Sequence, residues 1–288
     1  MRSDPTSRAS RELIATISQV LHVLEKRPPI PDESVHSARK AIKKARAALR
    51  LLREGLDEED YQKENAALRD AGRCLSPLRD AKSLMDALTA FRDRHPAELR
   101  QPDYLSLMRD LRSKRMAKRR DLFQSPDKLQ ACIRSLKACI ARVRLMKPSS
   151  LNPGTVAAGL QRIHRAGRKM LAGARQAGTP EALHEWRKEV KYLSNALSAL
   201  HVSSSSQLAN TEERAGELAD QLGDDHDLAE LARYVTRHAD STIDAAARKN
   251  LTKLIARERA KLRKSAYALG ANIYDEKPKH FVAGFEET

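Results

Sequence analysis

Aromatic residues make up only 4% of the 288-residue chain and glycine only 11 positions. That is too little for the packed faces and tight turns of a sheet-rich sandwich or barrel. No apolar stretch approaches the roughly 18 residues that a membrane span needs. Met1 to Arg11 are polar and lack the apolar middle of a secretory signal. Cysteine is scarce: Cys74, Cys132 and Cys139 match no metal-ligand spacing, and pairing two would leave one over. The expected compartment is therefore a reducing cytoplasm. No glycine-rich phosphate loop ending in Gly-Lys-Ser/Thr is present, and His184-Glu185 lacks the second histidine of a zinc protease motif.

Ala, Leu, Arg, Lys and Glu dominate instead, a helix-forming composition that at 41% hydrophobic still supplies a core. Apolar residues recur at three- and four-residue steps with almost no alternation of period two, so the expected class is all-α. Pro28, Pro29 and Pro31 end a first helix over about Arg8–Lys26. Ser203–Ser206 reads as a polar loop, and Lys277-Pro278 as the end of the last helix. The strongest break, Lys147 to Gly154, lies at the middle of the chain. It divides the sequence into residues 1–147, a linker at 148–155, and residues 156–288.

The net charge is +16, unevenly spread. Residues 101–200 carry 21 Lys+Arg against 7 Asp+Glu, whereas residues 51–100 carry 9 against 11 and residues 201–250 carry 5 against 10. Such segregation points to one strongly positive surface and a polyanionic partner. A repeat sharpens this. Residues 33–47, ESVHSARKAIKKARA, match residues 181–195, EALHEWRKEVKYLSN, at an offset of 148, pairing His36, Arg39, Lys40 and Lys43 with His184, Arg187, Lys188 and Lys191. Leu78-Arg79-Asp80 likewise matches Asp225-His226-Asp227 at an offset of 147.

At ~100° per residue, His36, Arg39, Lys40, Lys43 and Arg50 share one helix face, with Arg46 and Lys44 at its margins. Ala38, Ala41, Ile42, Ala45, Leu49 and Leu52 form the back. The second block has the same layout, with Trp186, Val190, Leu193 and Leu197 behind the cations, and Thr179-Pro180-Glu181 supplies a helix start. Like charges stacked at i,i+4 repel, and a multivalent anion laid along the face relieves them. Arg offers a planar fork for two phosphate oxygens, Lys a mobile point charge, and His an inducible one.

These motifs resemble the CHAD domain (conserved histidine α-helical domain), a bacterial and archaeal polyphosphate-binding module of two pseudo-symmetric four-helix halves. The carrying residues are Val35-His36-x-x-Arg39-Lys40-x-x-Lys43-Lys44-x-Arg46 and Leu183-His184-x-Trp186-Arg187-Lys188-x-Val190-Lys191-Tyr192-Leu193. Support comes from Gly159-Leu160-x-Arg162-Ile163-His164-Arg165-x-Gly167-Arg168, Leu222-Gly223-x-x-His226-Asp227, Ala268-Leu269-Gly270 and Lys277-Pro278-x-x-Phe281. The resemblance implies two antiparallel helical-bundle halves, a basic groove between them, and inorganic polyphosphate held there without chemistry, at polyphosphate granules. It also implies a stand-alone member, with no triphosphatase domain attached.

Carried over by position, the first-rank contacts are His36, Arg39, Lys40, Lys43, His184, Arg187, Lys188 and Lys191. Arg46, Arg50, Arg79, Arg112, Arg115, Arg119, Arg165, Arg168 and Arg257 stand second. Two departures are Lys82, where an acid often follows the Arg-Asp pair, and Ser194 opposite Arg46, so the two faces are expected to differ in strength.

Catalytic, metal and cofactor sites are not expected. In Asp224-Asp225-His226-Asp227 adjacent carboxylates point about 100° apart, so at most two could share an ion. By the repeat His226 corresponds to Arg79, which is no metal ligand. These acids are expected to orient neighbouring cations or cap a helix. Cys132 and Cys139 read as small buried residues, and Trp186 as core. The competing readings are a nucleic-acid-binding protein, based on net charge, and a polyphosphate or triphosphate phosphohydrolase, for which no nucleophile or metal spacing is evident. Nucleic acid is expected to bind more weakly, because single-strand binders stack bases on exposed rings and only Tyr192 lies near the cationic face.

Overall fold

The structure, a computed structural model, describes residues 5–26, 30–124, 126–145, 153–200, 207–238 and 243–286, a few side chains excepted. Eleven α-helices account for nearly all of them. Before the midpoint come α1 (Pro5–Leu24), α2 (Asp32–Leu52), α3 (Glu58–Cys74), α4 (Ser76–Arg94), α5 (Gln101–Gln124) and α6 (Pro126–Leu145), with one 3-10 turn at Arg53–Gly55. After it come α7 (Pro153–Ala177), α8 (Pro180–Leu200), α9 (Gln207–His238), α10 (Ala245–Ile273) and α11 (Pro278–Glu286). Among the described residues six α-helices thus precede the midpoint and five follow it. Pro278 opens α11 rather than closing the last helix, since a missing N–H costs nothing in a first turn. The last residues of the expected linker, 153–155, begin α7; residues 146–152 and the Ser203–Ser206 loop lie outside the described residues.

Local chemistry accounts for the ends of these helices. Gly178 follows α7 at φ 62°, donating its N–H to the Ala174 carbonyl at 2.9 Å. This is the left-handed cap that glycine adopts without a Cβ penalty. At the start of α8 the Thr179 hydroxyl accepts from the Ala182 N–H at 3.2 Å, as an N-cap should.

The apolar backs of α2 and α8 are buried as their periodicity requires: Ala38, Ala45, Leu49 and Leu52 on one, Trp186, Val190, Leu193 and Leu197 on the other, each at most 1% exposed. Trp186 stacks on Tyr267 with centroids 5.7 Å apart. Gly270 admits the indole, because a Cβ there would lie 2.4 Å from Trp186 Cζ2. The motif from Gly159 to Gly167 proves to be packing. A Cβ on Gly159 would meet the Leu51 carbonyl oxygen at 2.3 Å. His164 is fully buried, stacked on Phe281 at 4.2 Å and hydrogen-bonded through Nε2 to the Ile273 carbonyl at 3.2 Å. Cys132 and Cys139 are buried.

Two separate hydrophobic clusters result. The larger joins α1, α2, α3, α6, α7, α8 and α11 with the first half of α9 and the end of α10. The smaller joins Leu88 and Phe91 of α4 and Leu107 and Leu111 of α5 to Leu231 and Val235 of α9 and Leu251 and Ile255 of α10. Each cluster therefore draws on helices from both sides of the chain's midpoint.

Candidate functional site

The cationic faces of α2 and α8 look into one cleft of about 840 Å³. From α2 come Arg39, Lys43, Arg46 and Arg50, one turn apart in succession. From α8 come His184, Arg187, Lys188 and Lys191, and Tyr192 and Asn195 beside them. Because the apolar backs of both helices are committed to the core, their opposite faces have nowhere else to point. Eight of the expected residues thus meet in one place, four from each repeat.

The other expected residues whose side chains are described do not line it. His36 is half-buried one turn before Arg39, and Lys40 is exposed. On α5, Arg112 is exposed, Arg115 is half-buried, and Arg119 donates to the Ile30 carbonyl at 2.8 Å. Arg165 and Arg168 are exposed on α7, Arg168 reaching the Glu276 carbonyl at 3.3 Å. The inward stripe of that helix is Leu160, Ile163, His164, Gly167 and Leu171, so its arginines must face out. Arg257 is exposed on α10. The side chain of Arg79 lies outside the described residues.

Three further cations enter the cleft that the repeat does not reveal: Arg69 and Arg73 from α3, and Lys118 from α5. The α5 stripe could have indicated Lys118. Leu107 and Leu111 are buried, Lys114 lies over the Tyr234 ring at 4.8 Å, and Lys118 follows at the same helical spacing. Among the described lining residues, ten are Lys or Arg.

Several of these cations are already oriented. Arg39 donates from Nη1 to the Gly72 carbonyl at 3.0 Å and to the Ser76 hydroxyl at 2.6 Å, which ties α2 to the α3–α4 junction. Arg46 Nε donates to Asn65 Oδ1 at 3.1 Å. The Arg50 guanidinium carbon lies over the Tyr192 ring, 3.8 Å from its centroid, and Nη1 donates to Glu189 Oε2 at 2.8 Å. On α8, Lys188 pairs with Glu185 at i,i+3, and Lys191 with Asp220 at 3.0 Å. Two of the α8 cations are thus paired with carboxylates, one on α8 itself and one on α9.

At the inner end of α8, His184 packs against His226 of α9, centroids 4.5 Å apart. Burial, then His184 and Arg187, push His226 down to about 4 from the ordinary 6.5. Burial, then Arg187 and Lys188, lower His184 as well, while Glu185 and Glu230 pull the other way. Both rings are therefore neutral in the empty cleft at pH 7. Both values are lowered, so the unfolded chain takes up more protons below pH 6.5 and their contribution to stability is whole above that pH and is lost as the pH falls through the lowered values, about 4 for His226. An anion opposite them favours the charged rings, so affinity is expected to be flat above pH 7 and to rise as the pH falls below it. Titrations at pH 8.5, 7 and 5.5 in buffers of different ionisation enthalpy will show proton uptake at the lowest pH; equal affinities without uptake would make the rings purely structural.

Asp225, in the acidic run beside His226, is 2% exposed and accepts from Arg259 Nε at 3.0 Å, Arg259 Nη2 at 3.3 Å and Arg263 Nε at 3.1 Å. It orients arginines, as the run's geometry suggested. Among the described residues no three His, Cys, Asp or Glu side chains are grouped so as to hold a metal ion, and no helix is long and apolar enough to cross a membrane.

Among solved structures, the chain is similar to PptA from Streptomyces chartreusis, with TM-score 0.64 and 16% identity over 95% of this chain and 100% of that one. It is also similar to the crystal structure of the CHAD domain from the plant Ricinus communis, with TM-score 0.67 and 17% identity over 94% of this chain and 92% of that one. At these identities the likeness establishes the fold. No curated protein matches the sequence. The sequence model of the CHAD domain matches residues 15–236, and the chain belongs to the CHAD domain family.

Proposed function

We propose that the cleft binds inorganic polyphosphate and performs no chemistry on it. The convergence of ten Lys and Arg side chains on one cleft supports this reading most directly. A polyphosphate chain carries charge on every phosphorus and has no bases, so it suits a surface built from cations alone. Single-stranded nucleic acid gains much of its affinity from exposed rings. Tyr192, the aromatic ring among the described lining residues, is 9% exposed and covered by Arg50. Family membership adds the same expectation. Asp225 is committed to two arginines, which takes one acid of the run away from any hydrolytic role. Location in the cytoplasm at polyphosphate granules belongs to the same proposal.

The test is calorimetric titration with long-chain polyphosphate at several salt concentrations, with single-stranded DNA as competitor. With six to eight phosphate contacts and ~0.7 counterions released per contact, the log–log salt slope is expected at roughly −4 to −6. DNA should not displace the bound chain. A slope near zero, or equal affinity for DNA, would reject the reading. Phosphate release after adding Mg²⁺ would make the protein an enzyme instead.

A further inference from the structure

The two walls of the cleft differ in sign. Among the described lining residues, helices α2, α3 and α5 bring seven cations to it and no carboxylate. Helices α8 and α9 bring three cations and two histidines, together with Glu185, Glu189, Asp227 and Glu230. Glu185 pairs with Lys188, and Glu230 with Arg233, each within its own helix. Glu189 reaches across the cleft to Arg50, 139 residues away, and the two side chains are only 15% and 26% exposed.

Arg50 has a second anchor besides Glu189: its guanidinium carbon lies over the Tyr192 ring, 3.8 Å from the centroid. Its Nε is buried and makes no hydrogen bond, so the guanidinium retains a donor that a single carboxylate has not satisfied. A carboxylate and a phosphate present similar oxygen pairs to a guanidinium. Glu189 therefore stands where a phosphate of the bound chain would stand.

We propose that Glu189 is a built-in competitor for the polyanion: it latches α8 to Arg50 when the cleft is empty and is displaced when the cleft fills. This rests on the polyphosphate reading above. Displacement is feasible for a chain already held by Arg39, Lys43 and Arg46, because its next phosphate is present at high local concentration. The exchange adds little net affinity at Arg50, since one anion replaces another. It also releases no counterion there, because Arg50 is already neutralised.

The experiment is titration of long-chain polyphosphate into wild type, Glu189→Gln, Glu189→Ala and Glu98→Gln, each at three salt concentrations. Both Glu189 variants are expected to bind about tenfold more tightly than wild type, with a slope steeper by about 0.7, the value of one newly counted contact. Glu98→Gln makes the same change in net charge at an exposed position that does not line the cleft, and is expected to stay within threefold of wild type. Weaker binding by the Glu189 variants would show that Glu189 supports Arg50, and overturns the proposal. Unchanged affinity and slope, or an equal gain in Glu98→Gln, overturns it too. Those outcomes leave the polyphosphate reading intact, whereas no binding by wild type or any variant would overturn both.

Discussion

Replacing Arg39, Lys43, Arg46 and Arg187 together by Ala is expected to lower affinity for long-chain polyphosphate by about a thousandfold. These four side chains come from both repeats and meet in one cleft. A thousandfold loss is roughly 4 kcal/mol, or about 1 kcal/mol per contact, below the ~1.5–3 kcal/mol of a hydrogen bond to a charged group because salt screens an open cleft. The salt slope should flatten by nearly 3, since each lost contact carries ~0.7. The control is Arg165→Ala/Arg168→Ala/Arg257→Ala, which removes three exposed cations that do not line the cleft. It is expected to cost less than threefold, through the protein's general field alone. Equal losses in both proteins would mean that overall charge binds the polyanion and the cleft does not. Circular dichroism on each variant separates lost binding from lost structure.

A second large effect is expected away from the ligand. Asp225→Ala removes the acceptor of three guanidinium hydrogen bonds at a position that is 2% exposed. Arg259 and Arg263 then face each other at 15% and 24% exposure. Breaking such a buried cluster from one side typically costs ~3–5 kcal/mol, because charge is left without a counter-ion. The melting temperature should fall on the order of 10 °C, and urea unfolding should show a lower midpoint at unchanged slope. A loss below about 1 kcal/mol would mean that water replaces the carboxylate at both arginines. Asp225→Asn, which keeps the shape and some acceptor capacity, should fall between.

The cationic helices were readable from sequence because two constraints coincide on them. Each has an apolar back that fixes which way it faces, and each repeats the other's order of charges. Cys132, Cys139 and Trp186 were readable for a similar reason, since their apolar neighbours recur at helical spacing around them. Arg69 and Arg73 were not. On α3 the buried residues are Tyr61, Glu64, Leu68 and Ala71, and the sequence does not say which flank of that stripe meets α2. Glu189 was missed because its partner lies in another helix far along the chain. In the other direction, Arg165 and Arg168 stand in a family motif whose glycines and histidine serve packing against Leu51, Tyr274 and Phe281. A motif marks positions that matter without saying to what they matter.

The shared composition of the two hydrophobic clusters bears on how this molecule could be taken apart. Since α4 and α5 complete a cluster with α9 and α10, and α1, α2, α3 and α6 complete another with α7 and α8, separation at residues 146–152 leaves neither piece with a closed interior. The repeat seen in the sequence is therefore not matched by a separate core on each side of the midpoint. The midpoint is a place to divide the protein into a complementing pair, two chains that regain the cleft only by finding each other.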